Sequence, residues 1–556
     1  MQTGYTGHIA SSEWRWVTLL GSILVLLAVL PFLWVVLNTA GQPQQQFMGA
    51  LHDYPAAASE LGKVVQGAQG ALLGRYLHTP EPHNGVLIDI AYVLLGRVAR
   101  FTALPTIVIY HVARVGASIF MYAAIYSLAA QIWMRVRTRQ LFFLLAVIGS
   151  GLGWLFAPLT GSPAYPDLTP AVAYPFATTL LNMHLPLATG IAALLVSAMI
   201  EVLRPGYNVN PNVQNAGIRL FSYSLLFTLL YPQGLLPLMV AFVGLLLARS
   251  IRKRHLTQRT VRWMLWFGVP ALPLLVYYAS IFLYNPVVAR VWIQVNQAPA
   301  PRFDQMLIGL GLPLLIALPG IWRAVRKFEP DGNQFMLLWL IALLLLTYLT
   351  PVIQMNFMLG IMLPIAYFGA RALEDFWLAY LSRNWRYRVV VALIPLLGIS
   401  HLYVLFLPVA SLTDRDPRTN PGFTLELDYA LALRWLAATR PPRQWDWTIL
   451  AAPQVSVWVP AWTGMHVVYG YPAGALNAPA KRAAVERWYG EADAASPLCT
   501  AMLNGIYTAA GRYTIRYVLY GPRERALGAG ACLDVLTPVA GFGSVQVYAY
   551  ADSTQR

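Results

Sequence analysis

The sequence predicts an all-α polytopic membrane domain of about eleven helices, one pair of them a short hairpin, followed by a small α/β domain outside the cytoplasm. Composition is the first observation behind this: of 556 residues, 58% are hydrophobic and 11% are charged. A soluble chain carries roughly 45–50% apolar and 25% charged residues. The second observation is distribution, because the apolar residues gather into runs that stop after Pro408. A net charge of +16 is here a matter of membrane orientation, and no nucleic-acid partner is expected.

The first run, Trp16–Leu37, is long enough to cross roughly 30 Å of hydrocarbon at about 1.5 Å per residue. No A-x-A cleavage pattern follows it, so it reads as an anchor and not a signal peptide. Further spans are expected at Pro105–Trp133, Leu141–Pro158, His184–Leu203, Trp263–Tyr284, Met306–Trp322, Phe335–Val352, Phe357–Ala372 and Val389–Pro408. The stretch Ile218–Ala248 lies between Arg204 and the cluster Arg249, Arg252, Lys253, Arg254, Arg259 and Arg262. Positive charge on both sides puts both ends in the cytoplasm, so the stretch must turn back. It is shorter than the roughly 40 residues that two full spans need, which predicts two short helices hinged at Tyr231-Pro232-Gln233-Gly234.

With that hairpin the N-terminus is cytoplasmic, and Arg135, Arg137, Arg139, Arg323, Arg326, Lys327, Arg383, Arg386 and Arg388 all fall inside. The loop from Leu159 to Met183 holds no Lys or Arg, so it lies outside, as does the long loop Asn38–Leu104, in which surface helices are expected. The chain therefore divides into a multi-span domain over residues 1–409 and an extracytoplasmic mixed α/β domain over 410–556. In the tail, Leu425–Thr439 has helical spacing, while Trp447–Ala451, Tyr513–Tyr520 and Ser544–Tyr550 are short β-branched and aromatic runs between turn signals. Cys499 and Cys532 both lie there, and an oxidising compartment favours pairing them.

No Walker loop, G-x-S-x-G, H-E-x-x-H or C-x-x-C is present, so chemistry is sought where polar groups meet the outer face. Three places qualify. The loop Phe47–Pro55 holds His52, Asp53 and Tyr54 and returns through Tyr76–Gly85, and a carboxylate beside histidines suits a general base or a metal ligand if the fold brings these groups together; a solvated loop charge is the plainer reading. The second outer loop holds Asp167 and ends at His184 on a helix start, placed to donate to a phosphate oxygen or simply to sit at the interface. Tyr110–Arg114 puts Arg114 inside an apolar span, where charge faces a cavity or a partner.

Together these features resemble the GT-C superfamily of polytopic membrane glycosyltransferases, including the family 39 mannosyltransferase-like and aminoarabinose-transferase-like proteins. The resemblance covers about residues 15–410 and rests on Gly49, Asp53, Tyr54, Tyr110–Arg114, Asp167, His184 and the stretch Tyr348–Pro364. It implies inverting transfer of a hexosyl or pentosyl group from a polyprenyl-phosphate donor to an acceptor hydroxyl at the outer face. It makes Asp53 the catalytic base, with His52, Tyr54, Arg114, Asp167, His184 and Gln354 around the substrates. The membrane lipid is a partner, and the acceptor is unknown. Two departures mark a divergent member: Ala171, Val172 and Ala173 stand where many relatives carry a second acid, and Pro351–Asn356 holds no Arg. The outer loops show no carboxylate cluster of the kind Mg²⁺ or Mn²⁺ prefers, so no cofactor is named and a divalent metal stays open. A transporter or flippase and an inactive membrane scaffold with an outer binding domain are the rival readings; no internal repeat favours the former.

Overall fold

The structure, a computed structural model, describes residues 7–42, 44–169, 172–203, 213–254, 258–329, 332–410, 422–441, 446–504, 507–508, 511–513 and 515–550. Arg204 and Ala171 lie outside the described residues. Two units divide the chain: Met1–Val29 with Arg114–Tyr278 and Gln297–Phe406, and Leu30–Ala113 with Ala279–Asn296 and Leu407–Arg556.

Among the described residues 9 helices are long and apolar enough to cross a membrane: Ser11–Ala40, Thr106–Ile132, Val136–Thr160, His184–Leu203, Pro232–Arg252, Thr260–Tyr284, Phe303–Lys327, Gln354–Trp377 and Arg383–Ala410. With the 18-residue helix Val213–Leu230 and the 17-residue helix Asn333–Leu349 they make up the expected set. The hinge falls at Tyr231, whose φ of −149° and ψ of 70° leave the helix before Pro232 opens the next one. Proline suits a first helical position because its missing N–H would have no partner there. The Tyr231 hydroxyl donates to the Asn356 carbonyl at 2.9 Å and fixes the hinge. The hairpin is longer than expected, at 18 and 22 residues, because the backbone helices run on through charged ends where apolar counting stops. Arg249, for instance, stays helical while its guanidinium reaches the Leu203 carbonyl at 3.4 Å.

Within the first unit two expected spans are broken. The span Val136–Thr160 is made of two helical segments, Val136–Ile148 and Gly153–Thr160, joined where Leu152 N–H donates to the Ile308 carbonyl at 2.9 Å. A Cβ on Gly151 would lie 2.1 Å from the Gly309 carbonyl oxygen, so only glycine admits this approach of backbones. The facing helix Phe303–Lys327 is kinked at the same level, at Gly311. On one flank of this unit, Arg139 pairs with Glu13 at 3.0 Å, both buried, and the Tyr126 hydroxyl donates to the same carboxylate.

In the second unit the long loop is not a surface decoration. Its helix Tyr54–Ala68 is buried along most of its length and packs on Ile90–Thr102, where a Cβ on Gly96 would lie 1.9 Å from the Val64 carbonyl oxygen. Small residues on both helices let their apolar faces meet. Gln45–Phe47 pairs antiparallel with Thr424–Glu426, so the loop and the tail share a ladder. The tail carries the expected helix, Leu427–Thr439, and a five-stranded mixed sheet in the order His466–Val467, Thr448–Leu450, Ile515–Tyr520, Val545–Ala549, Thr537–Phe542. The first three of these run parallel and the rest antiparallel.

Cys499 and Cys532 form a disulfide across 33 residues of chain in the tail's buried core. A loop of that length gains about 3–4 kcal/mol from restricting the unfolded chain. Reduction should therefore lower the melting temperature of the purified protein, and an unchanged melt in excess reductant would assign the bond no stabilising role.

Candidate functional site

The loop carrying Asp53 is held at several points within the second unit. Met48 N–H donates to the Phe423 carbonyl at 3.0 Å, and the Trp462 indole donates to the Met48 carbonyl at 3.1 Å. His111 Nε2 meets the Gly49 carbonyl at 2.7 Å, and buried His52 packs its ring on Phe32. Gly49 has φ of 128°, a conformation that glycine reaches freely.

Asp53 follows in the left-handed region, φ 42° and ψ 48°, at the head of the helix Tyr54–Ala68. Asp tolerates this conformation better than most residues, and it tends to mark sites where a side chain must be aimed. Its carboxylate is exposed, yet closely packed surroundings raise its pKa above the usual carboxylate range, partly offset by the Ala56 backbone N–H. Tyr54 stacks on Trp458, ring centroids 6.1 Å apart. Beside Asp53 opens a cleft of about 520 Å³ whose wall includes Tyr54, Pro55, Tyr469 and Tyr471. Burial and then the Asp53 charge raise the Tyr471 phenol, which places that ring within reach of the carboxylate's field.

Behind the helix lies a polar cluster that the sequence reading passed over. Buried Glu60 accepts from the Tyr110 hydroxyl at 2.7 Å, and Lys63 pairs with Asp89 at 2.5 Å and lies over the Tyr76 ring. Burial pushes the Glu60 carboxyl up to about 8 from 4.5. Between those values the unfolded chain loses the proton and the folded chain keeps it, so this group's stability contribution falls as pH rises from 4.5 to about 8. Melting curves of wild type and Glu60→Gln across that window should converge at the acid end and separate toward pH 8; parallel curves would count against a retained proton.

A second cluster joins the returning loop Tyr76–Gly85, singled out in the sequence, to tail residues that the sequence did not mark. Lys481 Nζ pairs with Glu81 Oε1 at 2.5 Å, both side chains almost wholly buried, and Thr79 binds both partners. His466 Nδ1 meets the Thr79 carbonyl at 2.7 Å, His78 Nε2 the Val457 carbonyl at 2.9 Å, and His83 accepts from Tyr76 N–H at 3.0 Å. Burial pushes His78 down to about 4 and His466 to about 3, so both rings are neutral at pH 7. The spacing Thr79-Pro80-Glu81-Pro82-His83 was visible in the sequence, but its partners lie at the far end of the chain.

The remaining expected residues lie in the first unit. Arg114 is buried and donates from Nη1 to the Thr179 carbonyl at 2.6 Å, in the short helix that precedes His184. His184 opens the helix His184–Leu203, and Asn182 Oδ1 accepts from Leu185 N–H at 3.1 Å there. Asp167 is buried; its Oδ2 accepts from Gly153 N–H at 2.9 Å and from the Ser400 hydroxyl at 2.6 Å, bracing the broken span. Burial raises its carboxyl. Gln354 is tied at both ends, accepting from Ala300 N–H and donating to the Thr350 carbonyl, each at 2.9 Å. Thus His52, Asp53 and Tyr54 share one packed loop, Arg114 stands against the short helix that precedes His184, and Asp167 and Gln354 each hold backbone. Among the described residues no three His, Cys, Asp or Glu side chains are placed to hold a metal ion.

Comparison with solved structures assigns the fold. The oligosaccharyltransferase of Archaeoglobus fulgidus, crystallised tethered to an acceptor peptide containing the NVT sequon, matches with a TM-score of 0.51 at 10% identity over 97% of this chain and 74% of that one. The same organism's oligosaccharyltransferase AglB in complex with an inhibitory peptide and a dolichol-phosphate matches with a TM-score of 0.50 at 10% identity, over 98% and 75% of the two chains. ArnT from Cupriavidus metallidurans bound to undecaprenyl phosphate gives 0.48 at 13% identity, over 98% and 99%. No protein-family model matches the sequence, and no curated protein matches it. These likenesses show the fold, which this chain shares with the archaeal oligosaccharyltransferase, and the apolar helices are those of an integral membrane protein.

Proposed function

We propose that this protein transfers a sugar from a polyprenyl-phosphate-linked donor to an acceptor hydroxyl at the extracytoplasmic membrane face, with inversion. The observation that carries the reading is Asp53, an exposed acid aimed by a left-handed backbone beside a cleft, in a fold shared with an enzyme solved with dolichol-phosphate. Asp53 accepts the acceptor's hydroxyl proton as that oxygen bonds to the anomeric carbon, while the bond from that carbon to the phosphate oxygen breaks and polyprenyl phosphate departs. One displacement inverts the centre. Within the first unit, Arg114 and His184 are the groups suited to a leaving phosphate, while Asp167 holds backbone at Gly153 and Gln354 holds it at Ala300 and Thr350. In the second, His52 and Tyr54 flank the base.

Photoaffinity labelling with a polyprenyl-phosphate analogue tests this: saturable labelling of the outer loops, with sugar transfer in the same preparation, supports the transferase. Absence of both would leave a membrane scaffold with an outer binding domain.

The orientation is a separate expectation, with the N-terminus inside and the tail outside. Both native cysteines are in the disulfide, so introduced thiols report cleanly. Ser162→Cys should react with an impermeant reagent in intact cells and exposed Arg252→Cys should react only after the cells are opened; the opposite pattern would invert the topology.

A further inference from the structure

The cleft beside Asp53 has walls whose chemistry names a ligand. Its volume of about 520 Å³ falls among small-molecule sites, which span roughly 300–1,000 Å³. Three tyrosines, Tyr54, Tyr469 and Tyr471, and the prolines Pro453 and Pro472 give it flat apolar faces interrupted by hydroxyls. Its charged groups are already matched. At the rim Arg482 pairs with Glu486 at 2.8 Å, the two side chains 58% and 40% exposed. At the floor Arg523 pairs with Glu426 at 3.2 Å and is buried.

These pairings decide between ligands. An anionic headgroup or phosphate would have to displace a carboxylate from a guanidinium, and at Arg523 it would strand Glu426 beside it, a cost of the kind that makes broken buried pairs unfavourable. An acidic peptide meets the same obstacle. A purely apolar chain would bury the Arg482 and Glu486 heads without replacing their water. A polyol meets neither objection: its ring faces lie on tyrosine and proline, and its hydroxyls donate to Glu486 and accept from Arg482 without disturbing the pair.

We infer that this cleft binds a neutral glycan, and that the acceptor is a hydroxyl of that glycan presented to Asp53. The inference rests on the transferase reading above, of which it names the acceptor class.

The test is binding of the purified full-length protein, without donor, to an array of neutral oligosaccharides alongside sugar phosphates, acidic glycans and hydroxyl-bearing peptides. Hydrolysis of a polyprenyl-phosphate sugar is measured on the same preparation. Saturable binding of a neutral glycan is expected, weakened at least tenfold in Tyr469→Ala and in Arg482→Ala. The second variant alters a solvent-facing side chain and guards against a folding defect in the first, and circular dichroism checks both. Binding of only anionic or peptide ligands, or binding indifferent to both variants, overturns the inference. Donor hydrolysis without glycan binding also overturns it while leaving the transferase intact. Glycan binding without any donor turnover upholds the cleft as a glycan site and removes the transferase instead.

Discussion

Asp53→Asn is expected to lower sugar transfer by about 10²–10⁴-fold, the usual loss when a general base is removed. The amide keeps the size of the side chain and, like Asp, tolerates the left-handed backbone found there, with φ of 42°. The substitution therefore removes proton acceptance and little else. Because the carboxyl already titrates above its usual range, wild-type activity should also fall as pH drops through that raised value. Transfer from a polyprenyl-phosphate donor, donor affinity and melting temperature are measured side by side. Activity at the wild-type level in the variant would take Asp53 out of catalysis.

Lys481→Met should destabilise the protein by about 3–5 kcal/mol, because it leaves the Glu81 carboxylate buried with its cation gone. Thr79, which binds both partners, cannot neutralise the charge that remains. Replacing both ends, as Glu81→Leu with Lys481→Met, should recover much of the loss, since no buried charge then lacks a partner. Thermal unfolding of the purified variants reads both effects. Equal melting temperatures for wild type and Lys481→Met would show that water or a rearranged side chain reaches Glu81.

The spans were legible because length and apolarity alone specify a helix that crosses a bilayer, and the Tyr231 hinge because charge on both flanks forces a turn. The disulfide followed from compartment and count. The break at Gly149–Leu152 was hidden because its cause is another backbone, that of Ile308 and Gly309, and no local signal reports a close approach between distant segments. Thr537–Phe542 was missed as a strand because Pro538 and Gly541 read as turn residues, which an edge strand tolerates. At the candidate site, Asp53 and Tyr54 stood out by position after the first span. Glu60 and Lys63 did not, for a helix carrying an acid and a base reads as a solvated face until its burial is known. The cleft residues Tyr469, Tyr471 and Arg482 had no signature at all, since what unites them with Tyr54 is tertiary packing.

The short ladder between Gln45–Phe47 and Thr424–Glu426 sets a timetable for biogenesis. The strand that leads into the Asp53 loop leaves the ribosome roughly 380 residues before its partner, which follows the apolar runs between them. At about 5–20 residues per second the wait is on the order of tens of seconds. During that interval the first strand has an open edge, and the loop after it lacks the Phe423 and Trp462 contacts that hold it. The nascent chain therefore passes through insertion of its spans with the candidate base unpositioned, and the loop can take its final shape only once Phe423 and Trp462 have emerged.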